Sequence, residues 1–244
     1  AVPALVRALQ DQDAEVRAAA ASALGSVGSR TGKVVPSLVR ALEDAQAQVR
    51  KNAAWALASI RPEAAQAVPA LIQALGDQDE AVRIAAVHAL KAIGPEAVEA
   101  VPALIRTLAD PDKSTREAAA IALGTMGSGA PQAVPALVQA LQSQDWDMRQ
   151  AAARALENVG PEAAEALPTL LQVLEDERSE VRRGAIQALK GIGPPAAEAV
   201  PALVLALDDE SSEVRAAAVA ALDQIGPPAD MVPTFIALLG DPDS

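Results

Sequence analysis

A chain of 244 residues that is 51% hydrophobic has ample material for a buried core, but only 1% is aromatic, so that core must be built from Ala, Val, Leu and Ile, packed helix on helix. With no Cys there are no disulfides, thiolate metal sites or Cys nucleophile, an absence that does not locate the protein. A net charge of −12 opposes general affinity for nucleic acid or anionic lipid, and no uninterrupted apolar run approaches the ~18 residues that would span a membrane.

In chain order, the first element is VPALVRAL at residue 2. It returns as VPSLVRAL, VPALIQAL, VPALIRTL, VPALVQAL, LPTLLQVL, VPALVLAL and VPTFIALL at 35, 68, 101, 134, 167, 200 and 232, six intervals of 33 residues and one of 32. Counted from the residue before the Pro, positions 1, 4, 5 and 8 are apolar in every copy, the spacing of an amphipathic helix, A. Its Pro falls in the first turn, where no N–H partner is lost. An acidic turn follows, and its second Asp (Asp13, Asp79, Asp112 or Asp145) is placed to N-cap the next helix. That helix, B, reads AEVRAAAASALGSVG in the first repeat, with positions 15, 18, 19, 22, 23 and 26 apolar or Ala. It stops at Gly28, Gly94, Gly127, Gly160, Gly193 and Gly226, where a left-handed C-cap is usual. GPEAAEA then leads into the next helix A, with room for one helical turn of its own.

Each repeat is therefore a helical hairpin that cannot bury its apolar face alone, so neighbours must stack. The predicted fold is an all-α solenoid of about seven and a half 33-residue hairpins with about fifteen principal helices, a single domain over 1–244 whose last, partial repeat starts at 232. The VPAL-type helix A, the D-x-D turn, the Val-Arg-x-Ala-Ala start of helix B and the closing Leu-x-x-Ile-Gly together resemble the HEAT repeat, in the short bacterial form named after phycobilisome lyases. The resemblance covers essentially the whole chain. It implies a right-handed α–α superhelix with helix A on the convex face and helix B on the concave face. Members of the family include scaffolds, subunits that help attach bilins to phycobiliproteins, and engineered binders.

Because the chain aligns with itself, its own repeats show which positions are fixed. Position 16 is Arg in all seven full repeats: Arg17, Arg50, Arg83, Arg116, Arg149, Arg182 and Arg215. Position 10 is Asp in six: Asp11, Asp44, Asp77, Asp110, Asp176 and Asp209, with Ser143 the exception. An active site needs a residue once, whereas a stacking device needs it every time. The expectation is a structural ladder of Arg–Asp contacts tying the A–B turn to helix B, within or between repeats, rather than an anion-binding or catalytic set.

Positions 17, 21 and 24 vary, and spacings of four and three put them on one stripe of helix B. The stripe holds Lys51, Ile84, Glu117, Gln150 and Arg183 at position 17, and Trp55, His88, Ile121, Arg154 and Gln187 at position 21. Lys91, Glu157 and Lys190 stand at position 24. His88, the only His, has no second imidazole or thiolate to complete a metal site; a surface imidazole is the first reading, a partner contact the second, catalysis the last. Trp55 and Trp146 (position 13) are candidate anchors for a partner, with gap-filling between Ala-rich helices as the alternative. Lys51, Lys91, Arg154, Arg183 and Lys190 against Glu117, Glu157 and Asp223 give the stripe 5 − 3 = +2 in an acidic body.

Two stretches imitate other motifs. VGSRTGKV at 27–34 has the wrong spacing for a P-loop and no strand before it, and GTMGSGAP at 124–131 reads as another divergent loop between repeats. DQDE and DPDK lack the Gly and distal Glu of a calcium loop. HEAT-type hydroxylases that hold iron by His-Glu pairs are excluded by the single His, and the charge argues against HEAT-type DNA glycosylases, which need a basic cleft. The expected function is thus a protein-binding scaffold holding an acidic or mixed-charge protein or peptide on helix B, with no catalysis, metal, cofactor, nucleic acid or membrane. A bilin lyase or isomerase subunit and an engineered repeat binder are the alternatives that the family allows. Drift in the framework (Thr115 and Met148 at position 15, Leu167 at position 1) favours a natural array over the latter. Phe235, Ile236, Leu238 and Leu239 lack a following helix B, so the chain is expected to be part of a longer array or to stack end to end.

Overall fold

A computed structural model gives the fold and describes residues 1–28 and 34–226. Among those residues there are fourteen α-helices and no strand. They form two compact units, 1–133 and 134–244, and each is taken by itself. In the first unit α1 (Val2–Ala8) pairs with α2 (Ala14–Gly28), α3 (Val35–Ala41) with α4 (Ala47–Ile60), α5 (Val68–Ala74) with α6 (Glu80–Ile93), and α7 (Val101–Thr107) with α8 (Lys113–Thr125). In the second, α9 (Val134–Ala140) pairs with α10 (Trp146–Val159), α11 (Leu167–Val173) with α12 (Ser179–Ile192), and α13 (Val200–Leu205) with α14 (Ser212–Ile225).

The two helices of a hairpin begin differently. Helices A carry Pro in the first turn and no side-chain cap, because the residue ahead is already helical: Ala67 has φ −87° and ψ −6°. Helices B begin from an extended residue. Asp79 (φ −83°, ψ 122°) accepts the N–H groups of Ala81 and Val82, and Asp112 accepts the N–H and the hydroxyl of Thr115. Asp13 and Asp145 accept from Glu15 and Asp147. Several helices B end at a glycine, but not in the left-handed helical cap expected. Gly94, Gly160 and Gly193 have φ of 78°, 78° and 73° with ψ of −138°, −141° and −142°. That region is essentially closed to residues with a side chain, Asn included, so the constraint is tighter than a left-handed cap imposes.

From these glycines the chain runs into 3₁₀ segments, Gly94–Ala100, Gly160–Ala166 and Pro194–Ala199, with Arg61–Ala67 in the corresponding place after α4. The 124–131 stretch, expected as an irregular loop, contains the 3₁₀ turn Gly127–Gly129, with Pro131–Ala133 following. Each long segment sinks two alanines completely, such as Ala97 and Ala100, or Ala163 and Ala166. These segments touch the A helices on both sides, whereas helices B pack on one another directly: α2 on α4, α4 on α6 and α6 on α8, then α10 on α12 and α12 on α14. Leu24, Leu57, Leu90 and Leu123 of helices B and Leu38, Leu71 and Leu104 of helices A fill the first unit's core; Leu156, Leu137 and Leu170 do the same in the second.

Most of the P-loop imitation, at 29–33, and the final partial repeat with Phe235, Ile236, Leu238 and Leu239 lie outside the described residues.

Candidate protein-binding surface

Each helix B is fixed by its invariant Arg. Arg83 sends its Nε and one terminal N–H to the two carboxylate oxygens of Asp110, at 2.7 and 3.0 Å, and its other arm to the carbonyls of Asp77 and Gln78. The same bidentate pair forms at Arg17–Asp44, Arg50–Asp77, Arg149–Asp176 and Arg182–Asp209, always 27 residues on. One guanidinium thus bonds the turn of its own repeat through carbonyls and the turn of the next through a carboxylate. The Asp does double service, since Asp44, Asp77, Asp110, Asp176 and Asp209 each accept a backbone N–H two residues ahead. Arg116 and Arg215, in the last full repeat of each unit, bond the carbonyls of their own turns. Asp11, in the first repeat, accepts from Asp13 N–H and offers Arg17 only its carbonyl.

These contacts depress the carboxylates. At Asp44, Asp77 and Asp209 the Arg hydrogen bond is the largest influence and holds the pKa below its ordinary value, with burial opposing it. At Asp110 and Asp176 burial is the largest single influence and pushes upward, yet the Arg and backbone bonds together still leave the pKa lowered.

The variable stripe behaves differently in each unit. In the first, Trp55 is 44% exposed and stacks on His88 of the next helix B, with ring centroids 4.9 Å apart and planes at 26°. Lys51, Ile84, Lys91 and Ile121 are half-buried on the same helices and α8. Burial first, and then the charge of Lys91, lowers the His88 pKa, which favours the neutral imidazole in the stack. Glu117 is paired to Lys113 within α8, at 3.7 Å. Not every member of the stripe faces outward. Ala18, Gly25 and Gly124 share its positions but are buried, because these positions flank the seam between helices B. A small residue sinks into that seam and a long one climbs out; a Cβ on Gly25 would lie 2.7 Å from Ala56 Cα.

In the second unit, two of the expected contact residues are already occupied. The Arg178 guanidinium lies over the Trp146 ring, 5.3 Å from its centroid. Arg183 of α12 is ion-paired to Glu213 of α14, which cancels one of the stripe's positive charges. Arg154 and Lys190 are exposed, and Gln150, Glu157 and Gln187 are half-buried.

A profile of HEAT repeats matches the chain in six overlapping spans, 1–58, 35–123, 68–157, 101–190, 134–207 and 167–244, which leave no residue outside. The chain belongs to the HEAT-repeat family. Among solved structures it is similar to two engineered proteins. One is 30% identical at a TM-score of 0.62, over 78% of this chain and 96% of that one; the other is 29% identical at 0.71, over 98% and 72%. It is also similar to the complex of CpcE and CpcF of phycocyanin lyase from Nostoc sp. PCC7120, 27% identical at a TM-score of 0.57, over 93% of this chain and 95% of that one. No curated protein matches it. Sequence reasoning on this HEAT array missed the Trp55–His88 stack, although the signal was there: residues 33 apart occupy one position in adjacent repeats. It also missed the Arg178 cover on Trp146, a contact between different positions that no periodicity encodes.

Proposed function

We propose that this HEAT array is a binding scaffold that holds an acidic or mixed-charge protein segment against its B helices, with Trp55 as the main anchor in the first unit. The observation that carries this reading is the Trp55–His88 pair: an indole left 44% exposed and stacked on an imidazole, in a chain with two Trp in all. Aromatics of this kind dominate binding energy when a partner desolvates them. Lys51 and Lys91 flank the pair and make no ion pair among the described residues, which supports an acidic guest. The 3₁₀ spacers support placing the guest on helices B. They stand between neighbouring A helices, whereas the B helices pack on one another directly and so offer adjoining faces within each unit. Capture of partners from the source organism tests the reading. The retained segment should be rich in Asp and Glu, and Trp55→Ala should weaken it by about 1–3 kcal/mol, while Arg106→Ala on helix α7 leaves it bound. Equal retention by the Trp55→Ala and parent chains would defeat the assignment.

The likeness to the CpcE–CpcF complex of phycocyanin lyase favours a second reading, a subunit of a bilin lyase. Mixing the chain with free bilin and recording the visible spectrum separates the two. A shifted or sharpened absorbance band supports the lyase reading, and an unchanged spectrum supports the scaffold.

A further inference from the structure

His88 is the one histidine of the chain, so titration between about pH 5 and pH 8 belongs to a single side chain. Trp55 covers a face of its ring. The two nitrogens, on the ring's edge, make no hydrogen bond among the described residues, and both are open to water. The charges around the ring are few. Lys91, one turn on in α6, acts on it directly. Lys51 stands on the neighbouring α4, and Glu117 on α8, where Lys113 pairs with it at 3.7 Å. Glu96 and Glu99 are exposed on the spacer Gly94–Ala100, Arg61 and Glu63 belong to the spacer Arg61–Ala67, and α5 carries no charged residue. The ladder arginines of α4, α6 and α8 are bonded to the A–B turns. The imidazole thus meets burial and a positive charge, and among the described residues no carboxylate offsets them.

We propose that His88 is a proton-linked contact: a carboxylate of the bound segment accepts a hydrogen bond from the His88 imidazolium, and binding takes up a proton from solvent. This rests on the reading that helices B hold an acidic segment with Trp55 as its anchor. A segment seated on the indole lies beside a ring whose centroid is 4.9 Å away, and the open nitrogen edge is the part of that ring left for it. In the free chain burial and Lys91 both act against the charged form. A carboxylate at the edge reverses that balance, because it attracts the imidazolium and compensates Lys91. An apolar guest would only deepen the burial and release the proton, so the direction of proton exchange reports the chemistry of the guest. Charging the ring does not dismantle the anchor, since a cation over an indole face is held by it. By linkage, a base whose pKa is raised on binding makes the complex tighter as pH falls through the interval between its bound and free values.

Acetylated, amidated tetraglutamate and tetralysine test the proposal on the full chain, at about pH 7.5 and about pH 5.5, where Glu side chains with an ordinary pKa of about 4.3 stay ionised. Affinity is read from the indole N–H resonance of Trp55, assigned by its loss in Trp55→Phe. Tetraglutamate should bind about threefold tighter at the lower pH, the worth of one exposed ion pair. The C2–H resonance of His88, the single one in the chain, should titrate at a higher midpoint when the peptide is bound. His88→Gln, whose side chain cannot take up a proton, should match the parent at the higher pH and gain nothing at the lower. Equal parent affinity at the two pH values, a gain that survives in His88→Gln, or a His88 midpoint that stays or falls overturns the proton link; tetraglutamate bound at the higher pH then leaves the acidic reading standing. Tetralysine bound in place of tetraglutamate overturns the acidic reading and the link with it, as does no response to either peptide at millimolar concentration.

Discussion

His88 and the Arg ladder set the pH behaviour of this chain at the scale of single residues. Burial and Lys91 depress the His88 pKa, so His88 should titrate below the ordinary value of about 6.5. Trp55→Ala opens the ring to water and should move the midpoint upward, as a proton NMR titration of the lone His will read; a parent midpoint at or above the ordinary value contradicts the stack. A base with a depressed folded pKa contributes stability that is present above its unfolded pKa and declines as pH falls through it. The ladder acts lower on the scale. Asp44, Asp77, Asp110, Asp176 and Asp209 are held below the ordinary carboxylate pKa, so their contribution is complete above about 3.9 and lost as pH falls through the folded values. Urea unfolding at stepped pH should show a first decline as pH falls below about 6.5, from His88, and the ladder's decline below about 3.9, with stability level above both. Arg83→Ala strands a carboxylate whose side chain is 7% exposed, and two carbonyls, at a cost of about 1–3 kcal/mol. Arg83→Lys should recover little of it, since an ammonium cannot make the two-pronged contact. The recurrence of Arg and Asp was visible in the sequence. Which Asp each Arg takes was not, because spacing alone does not distinguish the turn before helix B from the turn of the next repeat.

Between elements, contact distance is decided by missing side chains. A Cβ on Gly25 would press on Ala56 Cα at 2.7 Å, and one on Gly191 would drive into the backbone carbonyl of Glu157. Neither helix can yield by turning a rotamer, so Gly191→Ala should destabilise the second unit by about 1–3 kcal/mol. Gly76→Ala meets nothing closer than 3.5 Å and should stay within about 0.5 kcal/mol of the parent. Paired thermal melts of the two variants check this, and equal melting temperatures would mean that the α10–α12 seam is looser than its geometry. Helix existence and type were legible because a 3.6-residue pattern repeats every 33 residues. The nature of the spacers was not. GPEAAEA carries no periodicity of its own, and its 3₁₀ form follows from two alanines that must both reach the core between neighbouring A helices.

For the molecule as a whole, charge and surface chemistry decide what it can hold. With a net charge of −12, the chain repels acidic partners everywhere except where uncompensated lysines and arginines gather on helices B. Binding of an acidic segment should therefore weaken steeply between low and physiological salt, because the exposed part of the attraction is screened over about 8–10 Å. The stripe itself was legible only as a set of variable positions. Which members are free depended on partners in other positions, as Glu213 on Arg183 and Arg178 on Trp146 show. The chain has five lysines, and three of them, Lys51, Lys91 and Lys190, stand on the stripe. Acetylation of the complex with a captured partner, read lysine by lysine by mass spectrometry, therefore tests the central claim directly. The account predicts that Lys51 and Lys91 lose reactivity several-fold while Lys113, at the start of α8, keeps it; unchanged reactivity at Lys51 and Lys91 in a saturated complex would contradict it.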